Sequence, residues 1–255
     1  MELSEKNLII TGGGSGLGAA TGRLFAESGA KVVLCDINGD AGEEVAASIG
    51  DSARFVKCNV TDEGEVQATV DAALDAFGPL HGAVNCAGIG GGGRVVGRDA
   101  PYPLEDFKRI VDVNLFGSFN VIRLVGAAMM ETEPDAGGER GVFINTASAA
   151  AFEGQIGQAA YSASKGGLVG MTLPIAREFA QHGIRVLTIA PGLFKTPMML
   201  AMAEDKRALL SAQVPFPPRL GEPEEYALLA KQMVENSMLN GTTIRLDGAI
   251  RMQPK

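Results

Sequence analysis

Short runs of β-branched and other apolar residues alternate with longer helical segments along most of the chain, and this alternation limits the possible folds more than any other feature. The predicted strands are NLIIT, KVVLCD, ARFVKCN, LHGAVN, GVFINTAS, IRVLTIA and TTIRLD. Helical segments such as GLGAATGRLFAESG, AGEEVAASIG and DEGEVQATVDAALDAFG lie between most of them. Such alternation predicts an α/β fold in which helices cover both faces of a seven-stranded parallel sheet.

Two segments interrupt the alternation and are predicted to be loops. GIGGGGRVVGRDAPYP is rich in glycine, and ETEPDAGGERG combines turn residues with mixed charge, which is typical of a solvated surface connection. No linker-like composition or internal repeat divides the 255 residues. Residues 1–255 are therefore predicted to form a single domain.

The composition bears on partners and on location. The formal net charge is −8, which argues against nucleic acid or an anionic membrane as the main partner. No apolar run approaches the ~18 residues that span a bilayer. The opening MELSEKNLIITGGG leads straight into a predicted strand, without a signal or transit sequence. We expect a cytoplasmic protein, or one of the mitochondrial matrix if the source is an animal and no transit peptide is required.

The thiols and imidazoles suggest no metal site. Cys35, Cys58 and Cys86 are odd in number and match no metal-ligand spacing, and His81 and His182 are the only histidines. Buried thiols in a reducing compartment are the expected state of these cysteines.

The motif TGGGSGLG at 11–18 follows the first predicted strand and opens a predicted helix. Gly12 permits a tight turn, Gly16 allows the backbone to approach a pyrophosphate, and Gly18 allows close packing of helix and strand. The helix start, with Ser15 and Leu17, offers free N–H groups and a positive dipole end to phosphates. A merely flexible turn is the alternative. In this context the motif predicts a doubly wound, Rossmann-type domain that binds a dinucleotide.

Asp36 ends the second predicted strand, and its carboxylate can accept hydrogen bonds from adenosine ribose hydroxyls. The same charge would repel a 2′-phosphate, and neither Ile37 nor Ser15 supplies a cation to bind one. The predicted cofactor is therefore NAD and not NADP. Asp36 could alternatively be a helix N-cap or a solvated strand end.

Ser148, Tyr161 and Lys165 form the predicted reaction centre. Ser148 follows a strand at the carboxyl edge of the sheet, where open α/β sheets bind ligands. Tyr161 and Lys165 are four residues apart and so share one face of a helix. A nearby ammonium lowers the pKa of a phenol, so Lys165 is expected to tune Tyr161 into an acid–base group. The alternative is a packing aromatic beside a surface charge.

The order and spacing of several motifs resemble the short-chain dehydrogenase/reductase family over essentially the whole chain. These motifs are TGGGSGLG, NCAG at 85–88, DVNLFG, Ser148, YSASK and PG at 191–192. The resemblance implies a catalytic tetrad of Asn114, Ser148, Tyr161 and Lys165. It implies that Lys165 also binds the nicotinamide ribose, and that Asn114 holds a helix distortion and a proton-relaying water.

The same resemblance places further cofactor contacts along the chain. Asn59-Val60 stands where the family usually has Asp-Val beside the adenine, and Cys86 replaces the commoner second asparagine of NNAG. The implied contacts, besides the glycine motif, Asp36, Tyr161 and Lys165, are Asn59, Val60, Cys86, Ala87, Gly88, Pro191, Gly192, Phe194 and Thr196.

A narrower similarity points to the substrate. FEGQIGQAAYSASKGGLVGMTLPIARE, IRVLTIAPGLFKTPMM, SAQVPFPPRLGEP and NGTTIRLDGAIRMQP resemble family members that use NAD to oxidise the 3-hydroxyl of short or branched 3-hydroxyacyl-CoA, reversibly. Residues 193–220 are expected to form a methionine-rich lid. The predicted substrate contacts are Ser148, Gln158, Tyr161 and Leu200. A hydroxysteroid or other secondary alcohol remains an alternative substrate, and a non-catalytic dinucleotide-binding regulator remains an alternative of another class.

The segment after Gln158 also predicts assembly. Its small and apolar residues lie on several faces of one helix, although the sheet covers only one. Similar family members form tetramers through such helices, so we expect a homotetramer.

Overall fold

A computed structural model describes residues 1–254. Its seven strands form one parallel sheet in the order β3-β2-β1-β4-β5-β6-β7, which confirms the predicted Rossmann-type architecture. The strands are β1 (Asn7–Thr11), β2 (Lys31–Asp36), β3 (Ala53–Lys57), β4 (Leu80–Asn85), β5 (Gly141–Thr146), β6 (Ile184–Pro191) and β7 (Thr243–Leu246).

The helices lie on both faces of the sheet. They are α1 (Gly16–Glu27), α2 (Gly39–Ile49), α3 (Glu63–Phe77), α4 (Leu104–Val111), α5 (Gly117–Met130), α6 (Ala159–Phe179), α7 (Pro197–Leu200), α8 (Glu204–Ser211) and α9 (Pro223–Glu235). Helices α1, α2 and α9 contribute to the core on one face, and α3, α5 and α6 to the core on the other.

The apolar strands are explained by burial on both sides. Along β5, Ile144 packs into the core with α9, and the preceding Phe143 packs on α6 through Phe179 on the opposite face. A strand covered on both faces has no solvent side and therefore reads as a continuous apolar run.

Helices α4 and α5 join through a π-helical turn, Asp112–Phe116, into one continuous helix, Leu104–Met130. By length and composition alone this helix could cross a membrane, because its 27 residues include a window of mean hydropathy 1.4, although Asn114, Asn120 and Arg123 interrupt any continuous apolar run. Half of that window is buried within the domain, where α5 packs on β4 and α3.

The two predicted loops are loops in the structure. In the glycine-rich one, Val96 and Pro101 form an isolated bridge that closes a hairpin. In the other, Glu139 is not solvated as expected. It pairs at 2.6 Å with Arg185, a largely buried cation, and this pair fastens the connection to β6.

Residues 193–220, the lid segment, begin after β6 and contain α7 and α8. The two ends of the segment are joined, because Gly221 N donates to Leu193 O at 2.8 Å and Lys195 N donates to Gly221 O at 2.9 Å. Arg219 adds a two-pronged ion pair with Glu225 at the start of α9.

Candidate active site

The glycine-rich turn joins β1 to α1 as the sequence predicts. Gly12 has φ +65°, and a Cβ there would lie 2.8 Å from the backbone nitrogen of Ala87. A Cβ on Gly18 would lie 2.2 Å from Gly12 O, so only glycine lets the helix approach the turn. Gly16 has φ +50° and faces Thr196 and Pro197 of the lid segment. The cradle therefore excludes side chains at the positions that a pyrophosphate needs open, and a dinucleotide fits it.

The N-terminus of α1 completes this cradle. Ser15 precedes the helix in extended conformation, and among residues 1–254 its side chain makes no capping hydrogen bond to the helix. The first N–H groups of a helix have no intrahelical partner, and they point along the positive end of its dipole. The backbone of Gly16, Leu17 and Gly18 is therefore suited to bind phosphate oxygens.

Asp36 lies at the end of β2, directly beside the glycine-rich turn. Its carboxylate accepts hydrogen bonds from Gly14 N at 3.1 Å and from Asn38 N at 3.0 Å. These two bonds fix the orientation of the carboxylate and leave lone pairs on both oxygens for a ribose diol. Ile37 is 67% exposed and supplies an apolar surface next to this carboxylate.

For Asn59 and Val60, the two implied adenine contacts, the structure shows contacts within the chain. The side-chain oxygen of Asn59 already accepts from both the backbone and the hydroxyl of Thr61. Val60 is buried and packs against Gly117. A Cβ on Gly117 would lie 2.5 Å from a methyl group of Val60. The cofactor contacts predicted for these two residues stay a prediction.

The segment after β4 connects the glycine-rich turn to the side chains of the predicted tetrad. Ala87 N donates to Thr11 Oγ1 at 3.0 Å. A Cβ on Gly88 would lie 3.1 Å from Asn114 Oδ1 and 3.4 Å from Lys165 Nζ. Glycine at 88 therefore keeps open the space beside the amide and the ammonium.

The residues after β6 form the base of the lid segment. Gly192 packs against Asp247, and the buried ring of Phe194 packs against Gly221. Thr196 is the N-cap residue of α7 and faces Gly16. The segment after β6 therefore reaches the glycine-rich turn through Thr196.

Tyr161 and Lys165 lie on the first turns of α6, as predicted. Lys165 is 5% exposed, its Nζ is 5.8 Å from the centre of the Tyr161 ring, and it donates a 2.7 Å hydrogen bond to the main-chain oxygen of Thr146. Burial lowers the pKa of Lys165 to about 8, against the opposing effect of the Cys86 sulfur.

The prediction for the pKa of Tyr161 is not what the structure gives. Burial raises the pKa of Tyr161, and the opposing influence is a hydrogen bond with Ser148. The physical reason is that the phenol is desolvated, while the Lys165 ammonium lies over the ring and bonds to the Thr146 carbonyl. In this structure the group that opposes the rise in the pKa of Tyr161 is therefore Ser148 and not Lys165.

Ser148 caps a short 3₁₀ turn, Ala149–Ala151, that follows β5. Its Oγ accepts from Ala150 N at 3.1 Å, so its hydroxyl hydrogen is available to a neighbour. Ser148 and Tyr161, thirteen residues apart in sequence, thus share one site.

Asn114 lies within the π-helical turn and is fully buried. Its amide exchanges hydrogen bonds with both main-chain groups of Ile89, at 2.8 and 3.0 Å, and donates to Ser164 Oγ at 3.0 Å. Its own main-chain oxygen accepts from Ser118 Oγ. The helix distortion implied for this residue is present, and it holds the loop after β4 against α6.

The predicted substrate contacts lie around the same opening. Gln158 is the N-cap residue of α6, and its side-chain oxygen accepts from Gln155 N. Leu200 is the last residue of α7 and is half exposed. Met198 of α7 packs on Gly90, so the lid segment touches both the glycine-rich loop and the cofactor cradle. Contact of Gln158 and Leu200 with substrate stays a prediction.

Sequence reasoning missed three groups at this site. Ser164, inside YSASK, anchors Asn114, and the main chain of Ile89 does the same. Thr146 supplies the carbonyl for Lys165. The motif itself could have indicated Ser164, whereas the role of a main-chain oxygen leaves no trace in residue type. Within residues 1–254, no cluster of three or more His, Cys, Asp or Glu side chains could hold a metal ion.

Comparison with known proteins bears on this geometry. The profile of the short chain dehydrogenase family matches residues 6–207. The 3-hydroxyacyl-CoA dehydrogenase type-2 of Bos taurus is 56% identical over 255 residues, covering 98% of each chain. The Homo sapiens protein of that name is 55% identical over 248 residues, covering 96% of this chain and 95% of its own.

A solved structure and a more distant relative agree. The crystal structure of 3-hydroxyacyl-CoA dehydrogenase type-2 from Mycobacterium avium is 43% identical, with a TM-score of 0.94 and all of both chains covered. Ipsdienol dehydrogenase from Ips pini is 34% identical over 255 residues, covering 98% of this chain and 99% of its own.

Proposed function

The chain belongs to the short-chain dehydrogenase family, and we propose that it uses NAD to oxidise the 3-hydroxyl of a short or branched 3-hydroxyacyl-CoA to the 3-ketoacyl-CoA, reversibly. Membership of the family makes the protein an oxidoreductase that takes a nicotinamide dinucleotide and a small-molecule substrate. The choice of NAD and the identity of the substrate are the proposal.

The observation that carries the proposal is the convergence of Ser148, Tyr161, Lys165 and Asn114 at the edge of a cradle suited to a dinucleotide. A binding protein that only held the dinucleotide would have no physical need for a phenol, a buried ammonium and a free hydroxyl at one point. The alternative of a non-catalytic regulator is therefore not favoured.

The carboxylate of Asp36 supports NAD as the cofactor. It is oriented by two backbone N–H groups at the end of β2, where a ribose diol can donate to it. A 2′-phosphate at this place would meet a negative charge.

The reaction follows from the donors and acceptors at the site. Bound NAD supplies a hydride acceptor. Ser148 Oγ, which already accepts from Ala150 N, donates its hydrogen to the substrate oxygen and fixes its position. Tyr161 Oη, as phenolate, takes the proton of the substrate hydroxyl while the carbinol hydrogen leaves as hydride, and the C–O bond becomes C=O.

The buried cation keeps the phenolate available. Lys165, close to the Tyr161 ring, stabilises its negative charge through space. Asn114 holds the loop at Ile89 and the helix at Ser164 in register, so the space beside Lys165 that Gly88 leaves without a side chain keeps its shape. We propose that the proton moves on from Lys165 through this space.

The surroundings of the site support an acyl-CoA substrate. The lid segment presents Met198, Leu200 and Met202 with partly exposed side chains, which suit a variable acyl chain. The hairpin after Gly93, which bonds to Gly157 beside α6, carries the exposed cations Arg94 and Arg98. Cations at the rim of an acidic protein suit the phosphates of CoA.

A steroid or another secondary alcohol is the second candidate substrate, because the apolar lid segment alone would accept it. The two arginines discriminate between the candidates, since a steroid has no phosphate for them to bind.

Assembly as a homotetramer is part of the proposal. Phe116, in the π-helical turn, and Phe119, on α5, are about half exposed, and Ala163, Gly170 and Leu173 leave a flat exposed strip on α6. A second copy of the pair of helices could pack closely against this surface. We also propose the cytoplasm, or the mitochondrial matrix in an animal, as the location.

A substrate panel tests the proposal. The purified protein is assayed with 3-hydroxybutyryl-CoA, a 2-methyl-branched homologue, a 17β-hydroxysteroid and 2-propanol, each with NAD and with NADP, by the absorbance of the reduced cofactor. We expect the largest kcat/KM with the CoA esters and NAD. Preference for the steroid or for NADP would overturn the corresponding half of the proposal.

A further inference from the structure

Three polar side chains from three separate elements meet in the core behind Lys165. They are Cys86, which follows β4, Thr146, at the end of β5, and Tyr226, on α9. Thr146 Oγ1 and Tyr226 Oη are 2.7 Å apart, Cys86 Sγ is 3.7 Å from Tyr226 Oη, and Thr146 Oγ1 is 3.6 Å from Cys86 Sγ. We call this group the polar triad. Tyr226 is fully buried and Thr146 is nearly so.

The polar triad closes on itself. Cys86 Sγ donates to Tyr226 Oη, Tyr226 Oη can donate to Thr146 Oγ1, and Thr146 Oγ1 donates to Cys86 Sγ. Each group thereby donates one hydrogen and accepts one. Burial raises the pKa of both the Cys86 thiol and the Tyr226 phenol, so both keep the hydrogen that this arrangement needs. Hydrogen bonds in a closed chain polarise one another and strengthen.

Thr146 connects the triad to the catalytic lysine. Its side chain belongs to the triad, on the face of the sheet that α9 covers, while its main-chain oxygen accepts from Lys165 Nζ at 2.7 Å. The side chain and the carbonyl belong to one residue, so fixing the first restrains the second. Lys165 therefore binds to a carbonyl whose orientation is set on the opposite face of the sheet.

Packing alone does not require these groups. Tyr226 lies in a core cluster of apolar residues such as Phe25, Leu34 and Met233, where a phenylalanine would fill the same space. A buried hydroxyl destabilises a core unless it is hydrogen-bonded. The hydroxyl of Tyr226 has both partners inside the triad, so the three residue types are needed together.

We propose that Tyr226 is a positioning residue of the dehydrogenase: by closing the polar triad with Thr146 and Cys86, it fixes the carbonyl that holds the Lys165 ammonium beside Tyr161. This rests on the proposed function. The titratable groups that face Lys165 from the described chain are Tyr161 on its own helix and Cys86 after β4, with Tyr226 behind Cys86.

The test measures Lys165 directly in the cofactor-free protein. Lysine labelled with ¹³C at Cε is titrated by NMR, and the Lys165 signal is assigned by its loss in Lys165→Met. The triad variant is Tyr226→Phe, which removes one oxygen and keeps the ring. A looser carbonyl stabilises the ammonium less, so we expect the pKa of Lys165 to fall by about half a unit to one unit. We expect kcat/KM for the hydroxyacyl-CoA to fall by about three- to tenfold, with its alkaline limb moved towards neutral pH.

A second pair of variants tests the same link where Tyr226→Phe might unfold the protein. Thr146→Val removes the hydroxyl and should shift the pKa of Lys165 as Tyr226→Phe does, while Thr146→Ser retains the hydroxyl and should restore most of the wild-type value. The double variant Tyr226→Phe/Thr146→Val should show the shift of one single variant and not the sum of two, because both act through one unit.

Thr188→Val is the matched control. Thr188 on β6 shares a buried 2.6 Å hydroxyl pair with Thr172 of α6, so the variant removes a comparable hydrogen bond one strand away without touching Thr146. We expect it to lower the melting temperature while leaving the Lys165 titration in place.

Three outcomes are distinguishable. An unchanged Lys165 titration in both Tyr226→Phe and Thr146→Val would overturn the positioning role. An equal shift in Thr188→Val would also overturn it, since the effect would then reflect core packing in general. Absence of turnover by the wild-type protein on every hydroxyacyl thioester would overturn the proposed function, while the titration would still decide the role of the triad.

Discussion

The Lys165 ammonium lies 5.8 Å from the centre of the Tyr161 ring while its hydrogen bond is made to the Thr146 carbonyl. The lysine therefore acts on the phenol through space and not by direct proton contact. Burial disfavours the charged form of both groups, raising the pKa of Tyr161 and lowering that of Lys165 to about 8. A phenolate and an ammonium at this place stabilise each other, so we expect the active form to be the pair with both charges present.

Replacing Tyr161 with phenylalanine removes the proposed base and little else. We expect Tyr161→Phe to bind NAD with nearly wild-type affinity while kcat falls by about 10²–10⁴-fold. Cofactor affinity is measured by the fluorescence of bound NADH, and turnover by absorbance. Tyr102→Phe, which loses the same oxygen in the glycine-rich loop, should retain activity. Wild-type turnover by Tyr161→Phe would contradict the assignment.

Lys165 should cost the protein stability at neutral pH. Its pKa of about 8 lies below the 10.5 of a free lysine, so the folded state holds the proton less tightly than the unfolded state. The stability gained from this shift is present above pH 10.5 and is lost as the pH falls through about 8. We expect Lys165→Met to raise the free energy of unfolding at pH 7 by about 1–3 kcal/mol, after loss of the Thr146 hydrogen bond.

The pH dependence of this difference is its check. Urea denaturation of wild type and Lys165→Met at pH 7 and at pH 10.5 should show the advantage at the lower pH only. An equal difference at both values would mean that the gain comes from apolar packing and not from removal of a buried charge. Lys108→Met, at an exposed site on α4, should show neither effect.

Most of the strands and helices could be predicted from the sequence, but only part of the candidate active site. The bounds of β1, β2 and β4 agree with the predicted runs NLIIT, KVVLCD and LHGAVN. The predicted runs for β3 and β5 are too long, since Cys58 and Ser148 lie beyond the ladders. Tyr161 and Lys165 could be paired from their spacing, whereas Thr146 and Tyr226 meet across 80 residues through the tertiary fold alone.

The raised pKa of Tyr161 could not be predicted either, because desolvation depends on how much of the domain surrounds a group. The spacing of Tyr161 and Lys165 predicted that a cation lies near the phenol. It could not predict that the phenol is shielded from water.

Removing the carboxylate of Asp36 should relax the choice of cofactor. We expect Asp36→Ala to lose affinity for NAD and to gain activity with NADP, so that the ratio of kcat/KM for NADP to that for NAD rises by at least about tenfold, since a repulsive charge is removed. Asp40→Ala, an exposed acidic residue in the first turn of α2, should leave the ratio in place. If wild type uses both cofactors equally well, the role of Asp36 in discrimination is wrong.

If Arg94 and Arg98 of the hairpin bind the CoA phosphates, replacing them should weaken binding of the CoA ester and not of a thioester without CoA. We expect the double variant Arg94→Gln/Arg98→Gln to raise KM for 3-hydroxybutyryl-CoA by about tenfold, with little change in kcat. The N-acetylcysteamine thioester of the same acid lacks the CoA phosphates and should be oxidised equally by wild type and variant. Loss of activity towards both thioesters would place the defect in the fold of the hairpin.

The exposed strip on α6 gives a direct test of assembly. A Cβ on Gly170 would meet nothing within 4 Å in the chain, so Gly170→Arg should fold normally while preventing close approach of a second helix. We expect light scattering to report a tetramer for wild type and a smaller species for the variant. Gly64→Arg, on an exposed part of α3, should remain tetrameric. A monomeric and fully active wild type would contradict the proposal.

Because the two ends of the lid segment are hydrogen-bonded to each other, the length of the segment can vary without moving the rest of the domain. Leu193 and Gly221 are hydrogen-bonded neighbours, so residues between them can be added or removed while both attachment points stay where they are. The entropy of closing such a loop grows only slowly with its length. The lid segment can therefore change in length without moving the carboxyl end of β6 or the start of α9.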